Sequence, residues 1–210
     1  MSIIIEQIIS WALALVSKFG YGGIFFTMML ESAAIPIPSE VVLPFSGFLA
    51  SSGRLNFWLV VFVATLANLA GSTILYWVGF FGGQPILEKY GKYALIHRDD
   101  IQKLDSWLKK YGAKLAFVSR LLPGIRTFSS IVLGTGRLNF NKFFWYTFFG
   151  SFIWNLPLAY VGLVTGKNWN VLRPYFHKFE LVILAAIVIA VILFIFKHVH
   201  RFKRLSQHPQ

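Results

Sequence analysis

Residues 31–40 read Glu-Ser-Ala-Ala-Ile-Pro-Ile-Pro-Ser-Glu, with a carboxylate at each end and two prolines between them. The flanking residues are apolar enough to lie in a membrane. Proline breaks a helix because it lacks an N–H donor and its ring clashes with the preceding turn. An ionised side chain at the centre of a bilayer costs at least about 2.5–3.5 kcal/mol, so such residues usually face a protein interior or a watery cavity. This stretch therefore predicts a broken segment with a function at membrane depth.

A second broken segment carries the opposite charge. Arg120 and Arg126 flank Leu-Leu-Pro-Gly-Ile in another apolar stretch. Broken backbone at membrane depth is tolerated only where it is buried in protein or lines a cavity. Two half-helices of about eight residues would reach only about 12 Å into a bilayer about 30 Å thick, so we predict that both segments are re-entrant hairpins. The predicted breaks are at Pro36, Pro38, Pro123 and Gly124.

The composition predicts an all-α polytopic membrane protein. Of the 210 residues, 56% are hydrophobic and only 13% are charged, whereas soluble domains carry about 25% charged residues. The absence of cysteine excludes disulfides, thiolate metal sites and cysteine nucleophiles. The N-terminus lacks the basic region of a cleaved signal peptide, and we expect it to be retained.

The net charge of +12 is concentrated beside apolar stretches. Seven basic residues lie between residues 89 and 114, and four more lie between residues 197 and 204. This is the distribution expected of cytoplasmic loops under the positive-inside rule. We therefore expect a bacterial inner membrane protein with several membrane passes and a cytoplasmic C-terminus. A nucleic-acid partner is not expected, because it would need a soluble basic fold.

Three apolar stretches have about the length of a spanning helix, which needs roughly 20 residues. They cover residues 57–81, 143–165 and 179–196. Residues 98–111 are typical of an amphipathic helix in the membrane interface. The N-terminal helix, residues 3–16, is short enough that both a surface position and a tilted crossing stay open.

An internal repeat organises these elements. Gly-Arg-Leu-Asn-Phe at residues 53–57 recurs at residues 136–140, and the same offset aligns Gly79 with Gly162. Each repeat then consists of a re-entrant hairpin, this motif and a spanning helix. If the basic connector is cytoplasmic, the two hairpins enter from opposite sides, which gives an inverted repeat with its site near the midplane. The single membrane domain of residues 1–210 then contains a first repeat (about 19–83), a connector (84–114), a second repeat (about 115–166) and a C-terminal helix with a basic tail (179–210).

The four charges suggest distinct roles. Arg120 and Arg126 present rigid, permanently charged donors that suit phosphate recognition; the alternative is that one or both snorkel to the interface. Glu31 and Glu40 can take up protons, as membrane carboxyl groups do in proton-driven transport, or hold a static ion pair with an arginine. We expect Glu40 to be the proton-responsive residue. Asn68 and Asn155 fit structural packing between helices better than a site.

The run from Glu31 to Glu40, together with the Arg-x-x-Pro-Gly-x-Arg element at residues 120–126, resembles the DedA family of bacterial inner-membrane proteins. The family is also called the SNARE-associated or VTT-domain family. The resemblance implies movement of lipids between leaflets, with undecaprenyl phosphate as the substrate of several members and dependence on the proton motive force. It also implies that Glu31, Glu40, Arg120 and Arg126 are functional.

The leading hypothesis is therefore a flippase for undecaprenyl phosphate or another anionic phospholipid, and coupling to protons is an open part of this hypothesis. Other hypotheses are a proton-coupled carrier of a small ion, a membrane lipid phosphatase and a scaffold. A phosphatase of the histidine type is disfavoured because all five histidines lie outside the two hairpins. We expect no catalytic residue, cofactor or metal, and whether the chain forms a homo-oligomer stays open.

The inverted repeat makes a topological prediction. The chain has no cysteine, so Ser51→Cys and Thr135→Cys each place one thiol at the end of a hairpin. The two variants should react with a membrane-impermeant thiol reagent from opposite sides of the membrane. Labelling of both from one side would contradict the inverted arrangement.

Overall fold

The computed structural model describes residues 2–35, 37–90, 112–122 and 125–166. Within these segments the chain is entirely helical apart from short connections. The helices are α1 (Ser2–Phe19), α2 (Tyr21–Ser32), α3 (Ser39–Ser51), α4 (Phe57–Tyr90), α5 (Lys114–Arg120), α6 (Ile125–Thr135) and α7 (Phe140–Thr165). The predicted interfacial helix at 98–111, the span at 179–196 and the basic tail lie outside the described residues, as do Pro36, Pro123 and Gly124.

Two of these helices are long and apolar enough to cross a membrane. They cover Phe57–Gly82 and Phe140–Thr165, with 26 residues each. At 1.5 Å per residue, 26 residues extend about 39 Å, which exceeds a hydrocarbon core of about 30 Å. Long apolar helices therefore lie where the sequence predicted two of its spanning helices, although α4 continues beyond the expected end at residue 81 as far as Tyr90.

Each charged segment is divided into two helices, as predicted, but the helices of the first segment are longer than expected. Helices α2 and α3 have 12 and 13 residues, where the sequence predicted about eight. Helix α2 ends at Ser32 in a Schellman turn. In this turn Ile35 N–H donates to Leu30 O at 3.0 Å, and Ala34 lies in the left-handed region with φ 74°. The re-entrant course of both segments in the membrane stays a prediction.

The repeated Gly-Arg-Leu-Asn-Phe motif ends one helix and begins the next in both repeats. The end of α3 is a Schellman turn with Gly53 at φ 76°. The end of α6 is the same turn, but Arg137 takes the left-handed position with φ 51°. The asparagine of each motif then caps the following helix: Asn56 Oδ1 accepts from Leu59 N–H at 3.2 Å, and Asn139 Oδ1 accepts from Lys142 N–H at 3.3 Å.

The helices of the two repeats are exchanged in the packing. Helix α4 of the first repeat packs against α2 of its own repeat and α6 of the second. Helix α7 of the second repeat packs against α5 of its own repeat and α3 of the first. Each long helix therefore carries the first short helix of one repeat and the second short helix of the other, and α4 and α7 also contact each other.

Paired glycines permit the close approach at both exchanged contacts. A Cβ on Gly79 of α4 would overlap Ile131 O of α6, and a Cβ on Gly134 of α6 would overlap Tyr76 O of α4. At the other contact, a Cβ on Gly47 of α3 would overlap Ala159 O of α7. Gly162 of α7 meets the carbonyl of Pro44 on α3 in the same way. Small residues of this kind allow helix backbones to touch in membrane proteins.

Candidate functional site

The carboxylate of Glu31 joins the two helices of the first segment. Glu31 lies in the last turn of α2, and its Oε1 accepts a hydrogen bond of 3.2 Å from the backbone N–H of Ser39, the first residue of α3. The first N–H groups of a helix have no partner within the helix, and a negative charge is favourable there. Glu31 therefore bridges the break, and its side chain is buried, with 7% of the residue exposed.

Arg126 connects this break to the second segment. It lies in the first turn of α6, and its Nη2 forms an ion pair with Glu31 Oε1. The same nitrogen donates to Ser39 Oγ at 2.7 Å. Arg126 is 7% exposed, so both members of the pair are buried. An ion pair with an arginine was one of the two roles that the sequence left open for the carboxylates, and the structure brings Glu31 and Arg126 into direct contact.

Arg120 lies beside this pair and ties α5 to α4 and α6. Its Nη1 donates to Ser72 Oγ at 2.8 Å and to the backbone oxygen of Arg126 at 2.9 Å. Its Nη2 donates to Ser130 Oγ at 2.7 Å. Within the described segments Arg120 thus hydrogen-bonds to uncharged oxygens, whereas Arg126 pairs with a carboxylate. Arg120 is 3% exposed, which excludes snorkelling to the interface for this side chain in this conformation.

Helix α7 covers both arginines from one side. The Arg120 guanidinium carbon lies 5.9 Å from the ring centre of Phe143, and that of Arg126 lies 5.5 Å from the ring centre of Trp154. Both distances fall within the range of cation–π attraction. Between these rings, a Cβ on Gly150 would lie 2.9 Å from Arg120 Cβ and Cγ. The lack of a side chain at Gly150 therefore lets Arg120 pack directly on the helix.

The remaining predicted residues lie close by in sequence. Glu40 is the second residue of α3, follows Ser39 directly and is partly buried. Pro38 is the N-cap residue of α3, with an extended backbone at φ −75° and ψ 113°. Among the described residues, no three His, Asp or Glu side chains are grouped so that they could hold a metal ion.

Sequence reasoning missed the polar and aromatic partners of the charges. The partners Ser39, Ser72 and Ser130 are small residues that attract no attention in the sequence, because a serine in an apolar helix commonly hydrogen-bonds its own backbone. Phe143 and Trp154 are two of many aromatic residues in the chain. No signal in the sequence separates these five residues from their neighbours until the positions of the arginines are known.

A second buried polar network joins α2, α4 and α7 near the site. Ser32 Oγ donates to Asn68 Oδ1, Asn68 Nδ2 donates to Asn155 Oδ1, and Asn155 Nδ2 donates to Thr65 Oγ1, each at 3.2 Å. The prediction that both asparagines bond between helices is confirmed. Because Ser32 follows Glu31 in α2, this network fixes the helix turn that carries the carboxylate.

The comparisons with known proteins agree with this architecture. Residues 37–164 match the family model of the VTT domain. Undecaprenyl phosphate transporter A of Bacillus subtilis is 33% identical over 206 residues, covering 97% of this chain and all of that protein. The protein of the same name in Staphylococcus aureus is 29% identical over 205 residues, covering 96% and 100%. A Lactococcus lactis protein named alkaline phosphatase-like is 32% identical over 190 residues, covering 86% and 89%. No solved structure matches significantly.

Two helices long and apolar enough to cross a membrane, together with relatives named as transporters, indicate a helical membrane protein. With a family model that matches more than half of its length, the chain belongs to the VTT-domain family, also known as the DedA family.

The buried ion pair makes a prediction about stability. Glu31→Gln leaves the charge of Arg126 buried without its carboxylate, and Arg126→Gln leaves Glu31 in the same position. Each change should cost about 3–5 kcal/mol, measured as the free energy of unfolding in a detergent titration. The double variant should lose less than the sum of the two single losses, because the single variants share one interaction.

Arg54→Gln is the matched control for this cycle. Arg54 is exposed and, among the described residues, donates to Ser17 O at 3.3 Å, so its loss should change stability by less than about 1 kcal/mol. Additive losses for Glu31 and Arg126 would show that the pair contributes no coupling energy.

Proposed function

We propose that this protein moves a lipid with a phosphate headgroup, undecaprenyl phosphate or another anionic phospholipid, between the leaflets of a bacterial inner membrane. The observation that carries the proposal is the burial of Arg120 and Arg126 where the broken segments of the two repeats meet. Glu31 and Glu40 act in gating and proton coupling. The C-terminus lies in the cytoplasm, and no part of this proposal depends on the oligomeric state.

The hydrogen-bond partners of Arg120 favour an anionic substrate. Glu31 compensates Arg126 through their ion pair, whereas Arg120 is bonded to hydroxyl and carbonyl oxygens. The described hydrogen-bond partners of Arg120 are therefore all uncharged. A phosphate group offers several acceptor oxygens to a planar guanidinium, which binds it with geometric specificity as well as charge. A phosphate bound beside Arg120 would balance the charge of this guanidinium in a place where water is scarce.

The ion pair supplies a simple gate. Phosphate and the Glu31 carboxylate are both acceptors for Arg126, so they compete for the same guanidinium. When a phosphate takes Arg126, the Glu31 contact with Ser39 N–H is also affected, because both bonds end on Oε1. Substrate binding therefore changes the junction between α2 and α3. A substrate can shift a conformational equilibrium only by such a difference in contacts between the two states.

The relatives support a lipid as the carrier of the phosphate. The two proteins named undecaprenyl phosphate transporter A align with nearly the whole chain, so the resemblance covers both repeats and the site. The name alkaline phosphatase-like in the Lactococcus relative raises hydrolysis as an alternative. The chain has no histidine between residues 1 and 96 or between 98 and 176, so a histidine nucleophile would have to come from outside both repeats.

The role of the arginines is tested by their substitution. Arg120→Ala and Arg126→Ala should each abolish translocation of a fluorescent polyprenyl phosphate in proteoliposomes. Translocation is measured as protection of the fluorescent lipid from a membrane-impermeant quencher. Arg126→Lys should keep part of the activity, because an ammonium cannot reproduce the planar fork. Arg137→Ala is the control, since Arg137 is exposed and packs on Phe80 at 5.7 Å. Equal losses at Arg137 and Arg126 would indicate a general charge effect.

Proton coupling is tested at Glu40. Glu40→Gln imitates the protonated carboxyl permanently, so transport should lose its dependence on pH while binding of the polyprenyl phosphate survives. Glu31→Gln should instead lower the melting temperature, because it breaks the ion pair with Arg126. Both quantities are measured on the same proteoliposome preparations. Stable variants at both positions that keep the pH dependence of the unmodified protein would refute the coupling.

A further inference from the structure

Four buried side-chain atoms in the described segments have no hydrogen-bond partner there. They are Glu31 Oε2, Arg120 Nε, Thr147 Oγ1 and Trp154 Nε1. Unpaired buried polar atoms are rare in proteins, because each one loses its bonds to water without replacement. Two of the four belong to the charged residues of the site. The other two lie on α7, and they call for an explanation of their own.

Thr147 and Trp154 lie on the face of α7 that contacts the arginines. Positions 143, 147, 150 and 154 are separated by four, three and four residues, so they follow one face of a helix. Phe143 and Gly150 contact Arg120, and Trp154 contacts Arg126. Thr147 is fully buried, at 0% exposure, and it lies one turn from each of the two residues that contact Arg120.

The hydroxyl of Thr147 differs from the other threonine hydroxyls described in the helices. Each of those donates to the carbonyl four residues earlier, the usual bond for threonine inside an apolar helix. They belong to Thr27, Thr65, Thr73, Thr135 and Thr165. Thr147 makes no such bond to Phe143 O, so its donor is left available on the face that meets Arg120.

The ring of Trp154 contacts Arg126 with its face and carries an N–H donor at its edge. The face lies against the Arg126 guanidinium. The indole N–H lies in the ring plane and can only donate, so it is directed away from the stacked cation. Its nitrogen is buried and unpaired. The helix face thus presents a hydroxyl and an indole donor beside two guanidinium groups.

We propose that the Thr147 hydroxyl and the Trp154 indole N–H bind phosphate oxygens, together with Nε–H of Arg120. This assignment rests on the proposed function and adds two ligands from α7 to its site. All three groups can donate, and a phosphate group supplies the acceptors. The recognised chemistry is the phosphate itself, whether it is carried by a lipid or free in solution.

The test uses substitutions that remove one donor and keep the shape. Thr147→Val removes the hydroxyl, and Trp154→Phe keeps an aromatic face for Arg126 without the N–H. Purified protein in detergent is titrated with radiolabelled undecaprenyl phosphate, with undecaprenol and with inorganic phosphate. Each variant should bind undecaprenyl phosphate about tenfold more weakly, as expected for one lost hydrogen bond to a charged group. Affinity for undecaprenol should not change.

Three matched variants serve as controls. Thr147→Ser keeps the hydroxyl and should restore affinity for the phosphate. Thr27→Val removes a hydroxyl that is equally buried but bonded within its own helix, and Trp145→Phe removes an exposed indole from the same helix α7. Neither of these two should alter the preference for undecaprenyl phosphate over undecaprenol.

The outcomes separate this assignment from the proposed function. If the unmodified protein prefers undecaprenyl phosphate and both variants keep that preference in full, the assignment is wrong while the function stands. If the unmodified protein binds undecaprenol equally well, both are wrong. Weaker binding of inorganic phosphate by Thr147→Val would support recognition of the phosphate group without its lipid chain. Should Thr147→Val fail to fold, Trp154→Phe decides the question by its ratio of affinities for undecaprenyl phosphate and undecaprenol.

Discussion

The contact of Arg126 with Glu31 and Ser39 determines how the two repeats meet. One guanidinium nitrogen reaches a carboxylate at the end of α2 and a hydroxyl at the start of α3. That carboxylate also receives the N–H of Ser39. A buried pair of this kind is costly to form and more costly to break, because either partner alone would be a charge without compensation. The rest of the site is arranged around it: Arg120 bonds to the Arg126 backbone, and α7 covers both guanidinium groups.

The two arginines of the cluster differ in their partners. Arg126 pairs with Glu31, whereas the described partners of Arg120 are hydroxyl and carbonyl oxygens and its Nε has no partner among the described residues. A fully compensated network would favour one rigid arrangement, since every member would lose a bond by moving. Under the proposed function, a phosphate would offer the arginines acceptors of greater charge than the serine hydroxyls, and it would compete with Glu31 for Arg126. The same residues would then stabilise the protein without a substrate and bind an anion when one is present.

The charged candidates could be named from the sequence, because an arginine or glutamate within an apolar stretch is conspicuous, and the structure brings Glu31, Arg120 and Arg126 together. The sequence could not predict which carboxylate meets which arginine. Glu31 and Arg126 are joined by the packing of helices far apart in the chain, and no local pattern encodes that contact. The end of α2 could not be located from the sequence, because the left-handed position that follows it is occupied by Ala34 and not by a glycine. The repeated motif was visible in the sequence. Its left-handed residue is the first one, Gly53, in one copy and the second one, Arg137, in the other, so the turn differs in position by one residue between two identical stretches.

The exchange of short helices between α4 and α7 has a consequence for how the protein is made. Gly47 of α3 meets the backbone of α7, and α7 is synthesised only after about half of the chain has followed. Until then, the first repeat has a helix whose backbone surface has nothing to pack against. A chain containing one repeat alone would remain in that condition. It could complete this contact only by association with a second copy that contributes the missing long helix.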